Sequence, residues 1–147
     1  MKKLPPIEKI YEAYSAIADK RITLFNKKAQ VKSSDRKKIY TILWQNNTYS
    51  SNDNATYWQG YPGYPIIAVL MLQKKLPLNI AEANLLKNVN WNQLNKEFKR
   101  NYAKAVNYII RARNLNKNTL NKSVKQVYRQ IENLNLEIKR GKSHPAK

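Results

Sequence analysis

Residues 66–72, IIAVLML, are the longest unbroken apolar run in the chain, and they leave the fold little choice. A segment with no polar face has to be covered on every side. It is far too short to cross a bilayer, which takes about 20 apolar residues. Pro65 stands directly before it, and proline suits the first turn of a helix. We therefore expect a buried helix over 66–73, with the rest of the chain wrapped around it. The preceding residues 52–65 hold Gly60, Gly63, Tyr57, Trp58, Tyr61 and Tyr64 in no regular period, which reads as an irregular aromatic loop.

Upstream, Ile7, Ile10, Tyr11, Tyr14 and Ile17 recur at helical spacing after Pro5 and Pro6, which predicts a helix over 7–19 that covers a sheet face. Strands follow over 21–25, 29–33, 38–45 and 48–50. In the first, Ile22 and Leu24 share a side; in the second, Val31 points inward. The third is the clearest, with Tyr40, Ile42 and Trp44 on one face and Ile39, Thr41 and Leu43 on the other. Residues 26–28 and 34–36 read as turns, and Asn46-Asn47 suits a two-residue hairpin because Asn tolerates positive φ.

Downstream, Asn79-x-x-Glu82 and Asn90-x-x-Gln93 have the form of capping boxes. The first opens a short helix to about residue 87. The second opens one long helix to about 113, with Trp91, Leu94, Phe98, Tyr102, Ala105, Val106 and Ile109 as its inner stripe. Leu120, Val124, Val127, Ile131 and Leu134 define a last helix, 136–138 read as extended, and 139–147 as a basic tail. The expected architecture is α+β: an N-terminal helix, a small antiparallel sheet of three or four strands, an aromatic loop and a mainly helical C-terminal half. Residues 1–138 form a single globular unit in this reading.

Charge sets the class of partner. The chain carries 28 Lys and Arg against 9 Asp and Glu, a formal net charge of +19. Such an excess repels itself in a compact state unless something neutralises it. Nucleic acid is the commonest polyanion to do so. A genome biased toward Lys, Asn and Ile would explain part of the composition, but it would enrich Glu as well, and Glu is scarce. Residues 83–147 hold 15 Lys and Arg and 3 Asp and Glu, hence +12. Lys96, Arg100, Lys104 and Arg111 fall on one face of the predicted long helix, and Lys122, Lys125 and Arg129 on one face of the last. Like charges one turn apart repel by a few tenths of a kcal/mol, about 0.2–0.5 per pair; a phosphate backbone reverses that sign. Lys139, Arg140 and Lys142 add charge in the tail.

The aromatic loop has two readings. Tyr57, Trp58 and Tyr61 are candidate base-stacking residues. Rings set among Gly and Pro more often pack as the plug of an irregular loop with their polar tips outward, and packing is the favoured reading, with Tyr57 or Tyr61 left exposed.

Catalytic signals are weak. There is no cysteine, which removes disulfides, thiolate metal sites and cysteine nucleophiles. The one histidine, His144, lies in the predicted tail, where no fixed geometry suits a general base. Ser50 and Ser51 have no base in sequence reach. Asp35 and Asp53 are the only acids in the sheet-and-loop region, and hard cations prefer several carboxylates. The glycines fit neither a Walker loop nor a dinucleotide fingerprint. No catalytic residue, metal or cofactor is expected. The N-terminus has charges and prolines where a signal peptide needs an apolar core, and a cytoplasmic location is expected, with no membrane partner.

The middle of the chain resembles the SWIM-type zinc-binding module. The resemblance runs through Ala29-x-Val31-x-Ser33-Ser34-Asp35, Ile39-Tyr40-Thr41-Ile42, Tyr49-Ser50-Ser51-Asn52-Asp53 and Gly63-Tyr64-Pro65 with the apolar run after it. That family has a strand pair, a C-x-C turn and a C-x-H opening an apolar helix. Its first pair of ligands falls here on Ser51 and Asp53, its second on Gly63 and Pro65, so zinc is not carried over. The resemblance implies a metal-free relative whose Tyr and Trp packing anchors the loop, and it implies binding of DNA or protein. The expected function is non-enzymatic binding of nucleic acid, DNA or structured RNA, through the phosphate backbone and with little sequence specificity. A structural component of a nucleoprotein particle, such as a ribosome-associated protein, is the second reading.

Overall fold

In the computed structural model, which describes residues 3–141, the chain forms an α+β fold around the apolar run. That run becomes α2 (Tyr64–Leu72), with Gly63 extended before it and Pro65 in its first turn. Pro65 through Met71 are all buried. α2 touches the sheet on one side and α1 (Lys9–Ala18) on another.

The four predicted strands form a meander: β1 (Ile22–Phe25), β2 (Lys28–Lys32), β3 (Ile39–Gln45) and β4 (Thr48–Ser51), each antiparallel to the next. The turns fall where expected, with Lys27, Arg36 and Asn46 at positive φ. Ala29, Val31, Tyr40, Ile42 and Tyr49 are buried, while β1 at the edge leaves Leu24 and Phe25 half exposed. The helix covering this sheet is α2 rather than α1, because only α2 has apolar residues all round. α1 packs on α2 and on α3 (Ile80–Asn84), and its polar anchors reach the same way: Trp91 Nε1 donates to Ser15 Oγ at 2.8 Å, and Ser15 Oγ donates to the Leu86 carbonyl at 2.6 Å.

The sheet also gains a strand. β5 (Glu137–Arg140) pairs parallel to β4, so that among the described residues the sheet is mixed and five-stranded. Lys139 and Arg140 therefore belong to the sheet edge rather than to a tail, and the globular unit extends past residue 138 to Gly141, whose amide donates to the Ser51 carbonyl at 2.9 Å. Lys142 and His144 lie outside the described residues.

The predicted long helix is two. α4 (Trp91–Glu97) stops, and α5 (Tyr102–Ala112) begins with Asn101, whose side chain accepts from the Lys104 amide at 3.2 Å. Between them Lys99 and Arg100 both take the left-handed conformation, at φ 52° and 65°. α6 (Lys117–Asn133) closes the fold, capped by Asn116 and burying Leu120, Val124, Val127 and Ile131. Asn79, Asn90, Asn101 and Asn116 thus each cap a helix by accepting from the amide three residues on. One cluster of buried side chains runs from α1 through the sheet and α2 to α6.

Candidate nucleic-acid interface

The aromatic loop folds down on a buried polar knot. The Ser51 hydroxyl donates to one Asp53 carboxylate oxygen, and the Thr56 amide donates to the other at 3.2 Å. The Gly63 amide in turn donates to Thr56 Oγ1 at 3.0 Å. This holds a single π-helical turn, Ala55–Gln59, which the sequence pattern did not predict, ended by Gly60 at φ 78°. Within that loop Tyr57 and Tyr61 are each 8% exposed, and Trp58 is 61% exposed. This reverses the expected assignment of the rings: Tyr57 and Tyr61 pack, and Trp58 faces solvent. Tyr57 and Trp58 are successive residues of the π turn and so point to different sides, while Tyr61 follows Gly60, beyond the turn.

β5 supplies the partner of these rings. The Arg140 guanidinium lies 4.5 Å from the Tyr57 ring centroid and 5.8 Å from that of Trp58. Tyr57 and Trp58 meet edge to face at 4.7 Å. Arg140 and Trp58 thus form an exposed pair of a cation and a ring, on residues 82 positions apart in sequence. Lys139 lies 3.7 Å from Glu137, both on the surface.

The remaining predicted cations lie on the helices. Lys96, Arg100, Lys104, Arg111, Lys122, Lys125 and Arg129 are all exposed. None of these seven makes an ion pair among the described residues. Lys122, Lys125 and Arg129 share one face of α6, as expected. The break after Glu97 divides the other group, leaving Lys96 on α4, Arg100 in the junction, and Lys104 and Arg111 on α5.

α5 also carries a feature that the sequence reading missed. Phe98, Lys104, Asn107, Tyr108, Arg111 and Ala112 line an open groove of about 650 Å³. Phe98 and Tyr108 stand 5.9 Å apart, ring to ring, and Tyr108 is 52% exposed. The signal was present: Tyr108 falls four residues after Lys104 and three before Arg111, an aromatic ring in the middle of a basic helix face.

The buried charges serve the fold instead. Lys9 lies 3.2 Å from Glu12 and 4.1 Å from the centre of the Tyr102 ring, which ties α1 to α5. Burial pulls the Lys9 ammonium down, but Glu12, Tyr102 and Tyr61 more than offset it, so it sits above its ordinary value. Among the described residues no three His, Asp or Glu side chains gather as a metal site, and no helix is long and apolar enough to cross a membrane.

A model of one protein family matches residues 2–137, nearly the whole described fold. The chain belongs to the family described as uncharacterised conserved protein UCP014422. No curated protein and no solved structure matches it. The family description names no activity or ligand, so the UCP014422 fold must be read through its own surface.

Proposed function

We propose that this UCP014422 protein is a non-enzymatic, cytoplasmic nucleic-acid-binding protein that holds a phosphate backbone on α4, α5 and α6. The observation that carries the reading is the set of seven exposed cations on these helices and their junction, none of them ion-paired among the described residues. A solvated helix face ordinarily mixes signs. Here the only acids between residues 91 and 133 are Glu97 and Glu132. Lys139 and Arg140 at the sheet edge extend the basic surface, and Trp58 beside Arg140 is its candidate stacking ring. Tyr57 and Tyr61, being buried, support the loop instead.

The resemblance to the SWIM-type module draws support from the loop. Ser51 and Asp53 at the end of the β3–β4 hairpin meet Gly63 at the start of α2, joined through Thr56. In this reading hydrogen bonds close the loop where that family uses metal ligands.

The test is affinity for duplex DNA and for structured RNA as a function of salt. Neutralising several phosphates predicts a steep linear fall of log affinity with log salt, with a slope of about −0.9 per phosphate on duplex DNA. Changing Lys96, Arg100 and Lys104 together to Glu should weaken binding and leave the circular dichroism spectrum unchanged. A flat salt response, or full affinity in the triple variant, rejects the interface.

A further inference from the structure

We infer that the groove on α5 takes an unpaired nucleotide, its base stacked on Tyr108 beside Phe98 and its phosphate between Lys104 and Arg111. This rests on the nucleic-acid reading above and goes beyond it, because a backbone interface alone has no use for exposed rings in a groove. The groove has the size of a small-ligand site, whose usual range is about 300–1,000 Å³, at about 650 Å³. Its chemistry is divided as a nucleotide requires. The Phe98 and Tyr108 rings touch, their centroids 5.9 Å apart and their planes tilted by 52°, and Tyr108 is half in solvent, so one base can lie on Tyr108 with Phe98 beside it. Asn107 supplies an amide able to donate and accept at a base edge. Lys104 and Arg111 line the groove, exposed and without an acidic partner among the described residues. Charge complementarity therefore selects an anion, and the paired rings select one that carries a flat aromatic group. A base inside a duplex cannot reach the rings, whereas a single strand or a loop of RNA presents its bases for stacking.

The experiment compares a single strand of about 12 nucleotides, within the footprint of a small binding domain, with a duplex of the same length. A 2-aminopurine in the single strand reports stacking by quenching. Wild type should quench the probe. Tyr108→Ala should weaken the single strand by about 5- to 150-fold, the range of one lost stacked base, with little change for the duplex. Tyr108→Phe should restore the wild-type value. Tyr108 is exposed on α5, and alanine is a good helix former, so the fold is preserved. Lys104→Gln and Arg111→Gln should weaken both ligands and flatten the salt response. If duplex and single strand bind with steep salt dependence but Tyr108→Ala leaves the single strand unchanged or weakens both alike, the groove assignment is overturned and the backbone reading stands. If neither binds, both fail. If a poly-glutamate peptide binds wild type and loses affinity in Tyr108→Ala as the oligonucleotide does, the groove holds an acidic protein segment and the assignment is overturned.

Discussion

Asp53 is 3% exposed and divides its carboxylate between the Ser51 hydroxyl and the Thr56 amide. Gly63 packs against it so closely that an added Cβ would lie 2.2 Å from Asp53 Oδ2 and 3.2 Å from the Ala55 Cβ. Glycine is needed here for space, since its φ of −73° suits any residue. Gly63→Ala should therefore lose about 1–3 kcal/mol, the usual penalty of overpacking, with urea unfolding as the measurement; an unchanged midpoint would mean that the knot is loose. The same carboxyl makes stability depend on pH. Burial holds it above the usual carboxylate range, and the hydrogen bonds from Ser51 and Thr56 oppose that without reversing it. The folded state then binds this proton more tightly than the unfolded chain does. The contribution is fully present below the unfolded value, near pH 4, and is lost as pH rises through the raised folded value. In Asp53→Asn that loss disappears. The stability of Asp53→Asn relative to wild type should rise from about pH 4 toward neutrality, and a difference independent of pH would contradict the assignment. At this scale the sequence was partly legible: Ser51, Asp53 and Gly63 stood out through their spacing, but nothing in the pattern said that Thr56 would join them.

The junction between α4 and α5 shows what helical periodicity conceals. Trp91, Leu94, Phe98, Ala105 and Ile109 keep their spacing across the break, because both helices bury a stripe against the same core. The competing signal was Asn101, which caps α5 as Asn79 and Asn90 cap the helices before it. Only the two caps followed by Glu or Gln at the third position read clearly; Asn101 is followed by Lys104 and Asn116 by Thr119. β5 was harder still, since its partner β4 lies 89 residues away and short parallel pairing has no local signature. Its loss from the prediction also hid the meeting of Arg140 with Trp58. The junction carries a testable strain. Left-handed geometry disfavours a residue with a Cβ by about 1–2 kcal/mol, and glycine escapes that penalty at some entropic expense. Arg100→Gly, at φ 65°, should thus raise stability by about 0.5–1 kcal/mol, while Arg100→Ala should not. Because the side chain belongs to the proposed interface, Arg100→Gly should also bind nucleic acid less tightly. Stability and affinity moving in opposite directions would mark the junction as a position shaped by its ligand. If both rise together, Arg100 lies outside the interface.

Across the whole molecule the dominant quantity is the net charge of +19 on 147 residues. The described residues offer few internal counter-charges. The buried pairs Lys9–Glu12 and Asp19–Arg21 use up acids inside the fold, and Lys139–Glu137 lies on the surface. What remains outside is mostly cation, so the folded state at low salt works against its own field. Screening should relieve this. At about 10 mM ionic strength charges interact over about 30 Å, and at 0.15 M over about 8 Å. The melting temperature should therefore rise between these conditions, opposite to a protein held by surface ion pairs. A polyanion should do more than salt, because it binds the native surface as well as screening it. Ligand at 100 times its Kd adds about 2.7 kcal/mol of stability. Calorimetry with a single-stranded oligonucleotide at low salt should thus raise the melting temperature above the value reached by salt alone. In the Lys96, Arg100 and Lys104 to Glu variant two things should happen together. The oligonucleotide shift should shrink, and the starting melting temperature at low salt should increase, since the change removes three cations and adds three acids, moving the net charge from +19 to +13. A melting temperature that falls with added salt in wild type would show that attraction, not repulsion, governs this surface, and the case for a polyanionic partner would lose its physical basis.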